Sequence, residues 1–242
     1  MIEKNRLLNF DSIIYQNSDW FKFSMDSVLL VNFVTLNLSV KKIMDLATGN
    51  APIPLLLTYK TKADIDCIEL QKCVYDLGVR SIIDNGVSSQ IKIVNGDVRN
   101  IKEYFDSGIY DVVLCNPPYF KTNNEEFVND NDVKKLARHE ITLNIDFVLN
   151  AAKYLLKTGG NFAMVHRSDR FVEILEKMRI NGIEPKKVQF IYPKYGKNSD
   201  LFLVEGKLNG KSGGLKILPP LIIHDVDGNY TKEVREMFGN ND

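Results

Sequence analysis

The stretch "YDVVLCNPPYF", Tyr110–Phe120, decides how the chain is read. Its opening is a nearly continuous apolar run, which predicts a strand over 110–116 covered on both faces. The strand must stop at Asn116-Pro117-Pro118-Tyr119, because proline has no N–H to donate to a sheet ladder. The same two prolines restrict the backbone and hold what precedes them in place. Asn116 offers a side-chain carbonyl and Pro117 a backbone carbonyl. Side by side they accept both protons of a planar amino group and leave its nitrogen lone pair free. Tyr119 can stack on a planar base and fix its face.

Working outward, β-rich runs alternate with helix-like stretches. Strands are expected at 41–47, 63–70, 90–97, 110–116 and 161–167, and helices at 52–60, 71–85, 99–106, 146–157 and 169–181. This alternation predicts one doubly wound, Rossmann-like α/β domain. "KTGGN", 157–161, reads as a helix stop and turn. Runs at 186–193 and 200–208 close a seven-stranded, mostly parallel sheet as an antiparallel pair. Residues 1–40 read as a hairpin around "FDSIIYQN" and a helix from about Ser24 to Leu36, and residues 209–242 as a Gly/Pro-punctuated extension. Both are too short to fold alone and are taken as additions to the 41–208 core.

The first strand ends in "DLATGNAP", Asp45–Pro52. A strand entering a small-residue turn before a helix is a setting for a nucleotide at a sheet's carboxyl edge, and Gly49 lets the backbone approach it. The second strand ends in Glu69, placed to accept from ribose hydroxyls, and the third in Asp97, placed to accept an adenine amino proton. The turn lacks the Lys-Ser/Thr of a P-loop and the glycines of a pyrophosphate cradle. The ligand expected is a nucleoside without phosphates.

Equal numbers of basic and acidic residues, 31 of each, exclude a surface that is basic overall. Cys67, Cys73 and Cys115 lack metal-ligand spacing and are expected to be buried free thiols of a reducing compartment. No stretch is apolar enough to span a membrane, and the N-terminus lacks a signal-peptide core. A cytoplasmic, metal-free monomer is expected. The stretch 186–216 is basic and carries Phe190, Tyr192 and Tyr195, a composition suited to RNA phosphates and unstacked bases. Lys186, Lys187, Lys194, Tyr195 and Lys197 are its candidate contacts. Arg138 and His139 follow an Asn/Asp-rich stretch, 122–132, and are candidates for RNA phosphate or for a helix cap. His166 is expected to be a satisfied core histidine.

The series "DLATGN", "DCIEL", "NGDV", "VVLCNPPYF" resembles the class I S-adenosylmethionine-dependent methyltransferases that act on amino nitrogens. Over almost the whole chain, "FKFSMDSVLLVNFV", "KKLARHEITLNIDFVLNAAKYLLKTGGNFAMVHRSDR" and "DGNYTKEV" resemble one branch, the bacterial tRNA(Val) adenine-N6 methyltransferases. The resemblance implies S-adenosyl-L-methionine as cofactor and tRNA as partner, with the adenosine 3′ of the anticodon as target. It implies cofactor contacts at Asp26, Asp45, Ala47, Thr48, Gly49, Asn50, Glu69, Leu70, Asp97, Val98 and Asn116. The reaction site is Asn116, Pro117, Pro118 and Tyr119. The departure is Asn50-Ala51, where a second glycine is usual. Rival substrates of the same chemistry are ribosomal RNA, a release-factor glutamine and DNA, and the non-enzymatic rival is an RNA-binding module of this fold.

Overall fold

The computed structural model describes residues 1–8, 10–17, 25–117 and 144–239. Strands β3 (Lys42–Leu46), β4 (Asp64–Glu69), β5 (Ile91–Asn95), β6 (Tyr110–Cys115) and β7 (Leu156–Arg167) run parallel in the order β5-β4-β3-β6-β7. β9 (Leu201–Leu208) inserts antiparallel between β7 and β8 (Ile183–Lys194). All seven expected strands therefore form. The chain winds outward from β3 to β5 and then returns to the other side of β3, which opens a crevice at the carboxyl ends of β3 and β6.

The sheet is larger than seven strands. β10 (Lys216–Ile217) and β11 (Leu221–His224), both from the C-terminal extension, pair in parallel with β8 and bring the described total to nine. Pro219-Pro220 separates them, since neither residue can donate to the ladder. A separate hairpin precedes the sheet, β1 (Ile2–Arg6) against β2 (Ile13–Asn17).

The helices are α1 (Met25–Phe33), α2 (Pro52–Leu57), α3 (Lys72–Asp84), α4 (Ile145–Leu155), α5 (Phe171–Ile180) and α6 (Lys232–Met237). Two expectations change. The helix expected at 99–106 is a kinked 3-10 turn, Val98–Glu103, broken at Asn100. The turn expected at 157–161 is a bulge inside β7, with Tyr110 opposite Leu156 but Val112 opposite Asn161. Gly160 allows it, because a Cβ there would come within 2.9 Å of the Lys157 carbonyl oxygen.

Alternation along the strands divides the core into two. Ile43, Ile65, Cys67, Val112 and Leu114 face α1, α2 and α3, whereas Met44, Leu46, Ile68, Val113 and Cys115 face α4 and α5. Most of these side chains are fully buried, each worth about 1.5–3 kcal/mol if a large aliphatic. Cys67 and Cys115 are buried as expected, but Cys73 is exposed, because it falls on the outer side of the amphipathic helix α3.

Two sets of polar contacts fasten the N-terminal segment. On α3, the Tyr15 N–H donates to Ser81 Oγ (3.0 Å), the Tyr15 hydroxyl donates to Asp84 (2.5 Å), and the Arg80 guanidinium covers the Tyr15 ring at 4.0 Å. Asn85 accepts from the Ile13 N–H (2.8 Å) and donates to the Ile13 carbonyl (2.6 Å). Beyond α1, the Thr35 N–H donates to Glu205 (2.6 Å), and Lys187 donates to the Phe33 carbonyl (2.6 Å). α1 is thus tied to β8 and β9.

Asn85→Ala removes both bonds to Ile13. The expected loss is about 1–3 kcal/mol in chemical denaturation, with faster amide hydrogen exchange across residues 2–17. Unchanged exchange there would show that the hairpin is held by other contacts.

Candidate active site

The turn after β3 carries three residues with left-handed backbone: Ala47 (φ 55°), Gly49 (φ 62°) and Ala51 (φ 69°). Only glycine adopts that region freely, so two alanines hold a strained conformation here, at about 1–2 kcal/mol each. The departure anticipated at Asn50-Ala51 thus has a companion at Ala47. Pro52 opens α2 where a missing N–H does no harm. Gly78 of α3 lets that helix lie close behind the turn; a Cβ there would meet Ile93 Cδ1 at 2.9 Å and the Gly49 carbonyl at 3.4 Å.

Glu69 braces the same turn. Its carboxylate accepts from the Gly49 N–H (3.0 Å) and from the Gln71 N–H (2.8 Å), so one buried side chain joins the ends of β3 and β4. Burial raises its pKa, and those backbone N–H groups pull it back. Asn95 donates to the Glu69 and Leu70 carbonyls, both at 2.9 Å, and leaves the Leu70 side chain partly exposed at the rim. Val98 is buried in the second core. Asp97 caps the 3-10 turn by accepting from the Arg99 N–H (2.8 Å) and pairs with the Arg99 guanidinium (2.5 Å). These contacts hold its pKa below the usual range.

Asp45 is the exceptional group. Its side chain is fully buried on the α1–α2 face, and neither carboxylate oxygen has a hydrogen-bond partner among the described residues. The Thr48 hydroxyl is in the same condition. Burial pushes the Asp45 pKa up to about 7; the Thr48 hydroxyl lies near enough to draw it partly back, and Glu69 adds to the rise. An unpaired buried carboxylate is expensive, so a buried pair of unused acceptors calls for an explanation.

Register brings the Asn116-Pro117 motif beside this turn. Leu46 pairs with both Cys115 and Ile68, so the next positions, Asn116, Ala47 and Glu69, lie in a row along the carboxyl edge. Asn116 is half-buried, and its Nδ2 donates to Ser27 Oγ of α1 at 3.1 Å. Asp26, beside Ser27, is in the first turn of α1 and so borders the same edge. Pro117 is buried; Pro118, Tyr119, Arg138 and His139 lie outside the described residues.

Three expectations need correction or refinement. Asn50 is buried with its amide NH2 donating to the Tyr15 carbonyl (2.8 Å), so that end of its side chain ties the turn to the hairpin. Lys187 is turned inward onto Phe33, Thr35 and Glu205, and Lys186 is spent on the carbonyls of Lys211 and Gly213. The basic stretch does not form one patch. From Lys186 to Lys194 along β8 is roughly 26 Å at about 3.3 Å per residue. Only Lys194, Tyr195 and Lys197 stand at the carboxyl edge, on the β8–β9 turn, with Tyr195 89% exposed. His166 is buried, accepts from the Arg167 N–H, and is held neutral with a pKa near 4 mainly by burial. Sequence reading missed Ser27, Gly78 and Asn95. A polar residue inside the apolar run "SVLL" was the available signal for Ser27.

A family model described as Eco57I restriction-modification methylase matches residues 26–202. The chain is 24% identical over 218 residues to the tRNA1(Val) (adenine(37)-N6)-methyltransferase of Actinobacillus pleuropneumoniae serotype 7, covering 89% of this chain and 88% of that one. It is 25% identical over 215 residues to the enzyme of the same name from Aliivibrio salmonicida, covering 85% and 84%. Among solved structures, a predicted O-methyltransferase from Agrobacterium tumefaciens superposes with a TM-score of 0.71 at 18% identity, over 88% of this chain and 95% of that one.

The Asp45 carboxyl yields a signed expectation. Its folded pKa of about 7 lies above the ordinary 3.8, so the folded state holds the extra proton between those limits. Stability contributed by that proton is present at low pH and is lost as pH rises toward 7. Asp45→Asn removes the dependence. The variant is expected to melt several degrees above the parent at pH 8, a difference of at most about 4 kcal/mol. The gap narrows at pH 5. Calorimetric melts at both values check this; a gap independent of pH would refute it.

Proposed function

The chain belongs to the Eco57I restriction-modification methylase family, and on that premise we propose that it methylates the N6 amino group of an adenine in tRNA. The methyl donor is S-adenosyl-L-methionine, and the target is the adenosine 3′ of the anticodon in tRNA(Val). One observation carries the chemistry: Asn116, at the end of β6, stands in register beside the turn that follows Asp45, whose two buried carboxylate oxygens have no hydrogen-bond partner among the described residues.

The residues suit the cofactor. Asp45 and Thr48 offer a buried carboxylate and hydroxyl to its cationic end. Glu69 keeps lone pairs for ribose hydroxyls, Leu70 and Val98 flank a flat apolar ring, and Gly49 faces open space where a Cβ would meet nothing within 4 Å. When bound, this sulfonium supplies an electrophilic methyl group whose leaving group is a neutral thioether.

The protein's task is then positional. Asn116 Oδ1 and the Pro117 carbonyl accept the two amino protons and turn the nitrogen lone pair toward the methyl group. No charged base is required, because the nitrogen becomes acidic only after methylation and then sheds its proton. Tyr119 supplies the stacking face in this reading. The substrate assignment leans on the relatives, whose likeness extends through the segments flanking the shared core. Lys194, Tyr195 and Lys197 occupy the correct edge to meet the RNA. A cytoplasmic location follows from this substrate, and no helix among the described residues is long and apolar enough to cross a membrane.

The test is transfer of labelled methyl to tRNA from a strain lacking this gene, followed by nucleoside analysis by mass. The expected product is N6-methyladenosine in one tRNA, lost by at least about a hundredfold in Asn116→Ala while cofactor affinity is retained. Label in ribosomal RNA or a release factor instead would overturn the substrate but keep the chemistry. Cofactor binding with no transfer to anything would favour a non-catalytic RNA-binding module.

A further inference from the structure

We propose that the turn joining β8 to β9 reads the substrate RNA beside the target adenosine. Tyr195 stacks on an unpaired base there, and Lys194 and Lys197 hold the phosphates on either side. The inference rests on the proposed function, which makes the partner RNA, and it adds a second grip outside the reaction site. β9 and β8 lie two and three strands along the sheet from β6. At about 4.8 Å between neighbouring strands, the turn is roughly 10–14 Å across the sheet from Asn116. Nucleotides stacked about 3.4 Å apart cover that span in three or four steps. The ring therefore meets a neighbour of the target and not the target itself.

Tyr195 is 89% exposed, so burial does not account for the ring. The backbone beneath it is nevertheless fixed from three sides. Within the turn, the Lys197 N–H donates to the Lys194 carbonyl (3.2 Å), and Gly196 supplies a left-handed residue (φ 75°). Toward β7, the Ser168 N–H donates to the Asp200 carbonyl (3.0 Å), and Ser199 Oγ lies 2.8 Å from Ser168 Oγ. Toward the C-terminal extension, His224 stands opposite Lys194, and its Nδ1 donates to the Pro193 carbonyl (3.1 Å). A carbonyl only accepts, so Nδ1 carries the proton. The His224 ring stacks on Tyr230, which packs edge-on against Phe238 of the core. A turn held in this way binds without the entropy cost of being ordered first. The charges are also available. Among the described residues no ion pair or hydrogen bond engages the Lys194 or Lys197 ammonium group, and both side chains are exposed. Asp225, the acid that follows His224, turns its carboxylate onto the Asp227 and Asn229 N–H groups (3.0 and 2.9 Å). An exposed ring between two such cations has the composition that grips single-stranded nucleic acid.

The experiment compares the parent, Tyr195→Ala, Tyr195→Phe and the Lys194→Gln/Lys197→Gln pair. Fluorescence anisotropy measures binding of unmodified tRNA, its isolated anticodon stem-loop and a fully paired RNA hairpin of equal length. Truncating so exposed a ring opens no cavity, so the fold is kept. Tyr195→Ala is expected to weaken binding of tRNA and stem-loop by about 5–100-fold, and of the paired hairpin by less than about twofold. Tyr195→Phe keeps the parent affinity, because the ring and not its hydroxyl makes the contact. The lysine pair lowers the slope of log affinity against log salt by about 1.4, at about 0.7 per phosphate of a single strand. Tyr195→Ala leaves that slope unchanged. In methyl transfer, Tyr195→Ala raises KM for tRNA while kcat and cofactor affinity stay within about twofold. Unchanged tRNA binding in Tyr195→Ala overturns the proposal. So does an equal loss in Tyr195→Phe or on the paired hairpin, or an unmoved salt slope in the lysine pair. A parent that binds tRNA but transfers no methyl defeats the proposed function alone, and the binding arms still decide the turn. A parent that binds a release factor and no RNA overturns both.

Discussion

Parallel pairing of β3 with β6 is the constraint on which the site depends. These strands are distant in sequence and belong to opposite halves of the winding, yet Leu46 sits opposite Cys115. That one register sets the acidic turn of the first half beside the Asn-Pro-Pro motif of the second. A slip of one residue would turn Asp45 to the other face of the sheet and carry Asn116 away from Ser27. The register is secured by Ile43, Val112 and Leu114 on one face and Met44, Val113 and Cys115 on the other, all buried. Packing, not polar contact, thus determines where the chemistry stands.

Polar contacts then refine what packing has placed. Glu69 joins two strand ends through backbone N–H groups, and Asn50 joins the first turn to the hairpin. Ser27 joins α1 to Asn116 at the end of β6. Each is a buried side chain whose partner lies on another element. The turn that they surround carries left-handed alanines at positions 47 and 51, and the surrounding bonds keep that strained geometry in place.

Much of this was legible in the residues, because the signals were local. Acids at successive strand ends, a small-residue turn and a proline-terminated strand each lie within a few positions. The alternation of strand and helix displayed the winding directly. What escaped notice was non-local. Ser27 and Asn116 are 89 residues apart, and nothing in either stretch names the other. The lysines of 186–216 are one run in sequence but two groups in space, because the length of β8 holds Lys194 and Lys197 at the carboxyl edge while Lys187 and Lys216 pair near its other end. The β10 and β11 strands were hidden by the prolines between them, which read as loop.

The solitary Asp45 carboxyl also has a thermodynamic consequence. Near neutrality it is divided between its acid and its anion. On the proposed reading, the cationic end of the cofactor settling against it would select the anion and expel a proton into the buffer. Ligand uptake is then an exchange reaction whose apparent heat includes the ionisation heat of whichever buffer receives that proton. The proposed site would in this sense be coupled to the acidity of its surroundings before any bond to carbon is made or broken.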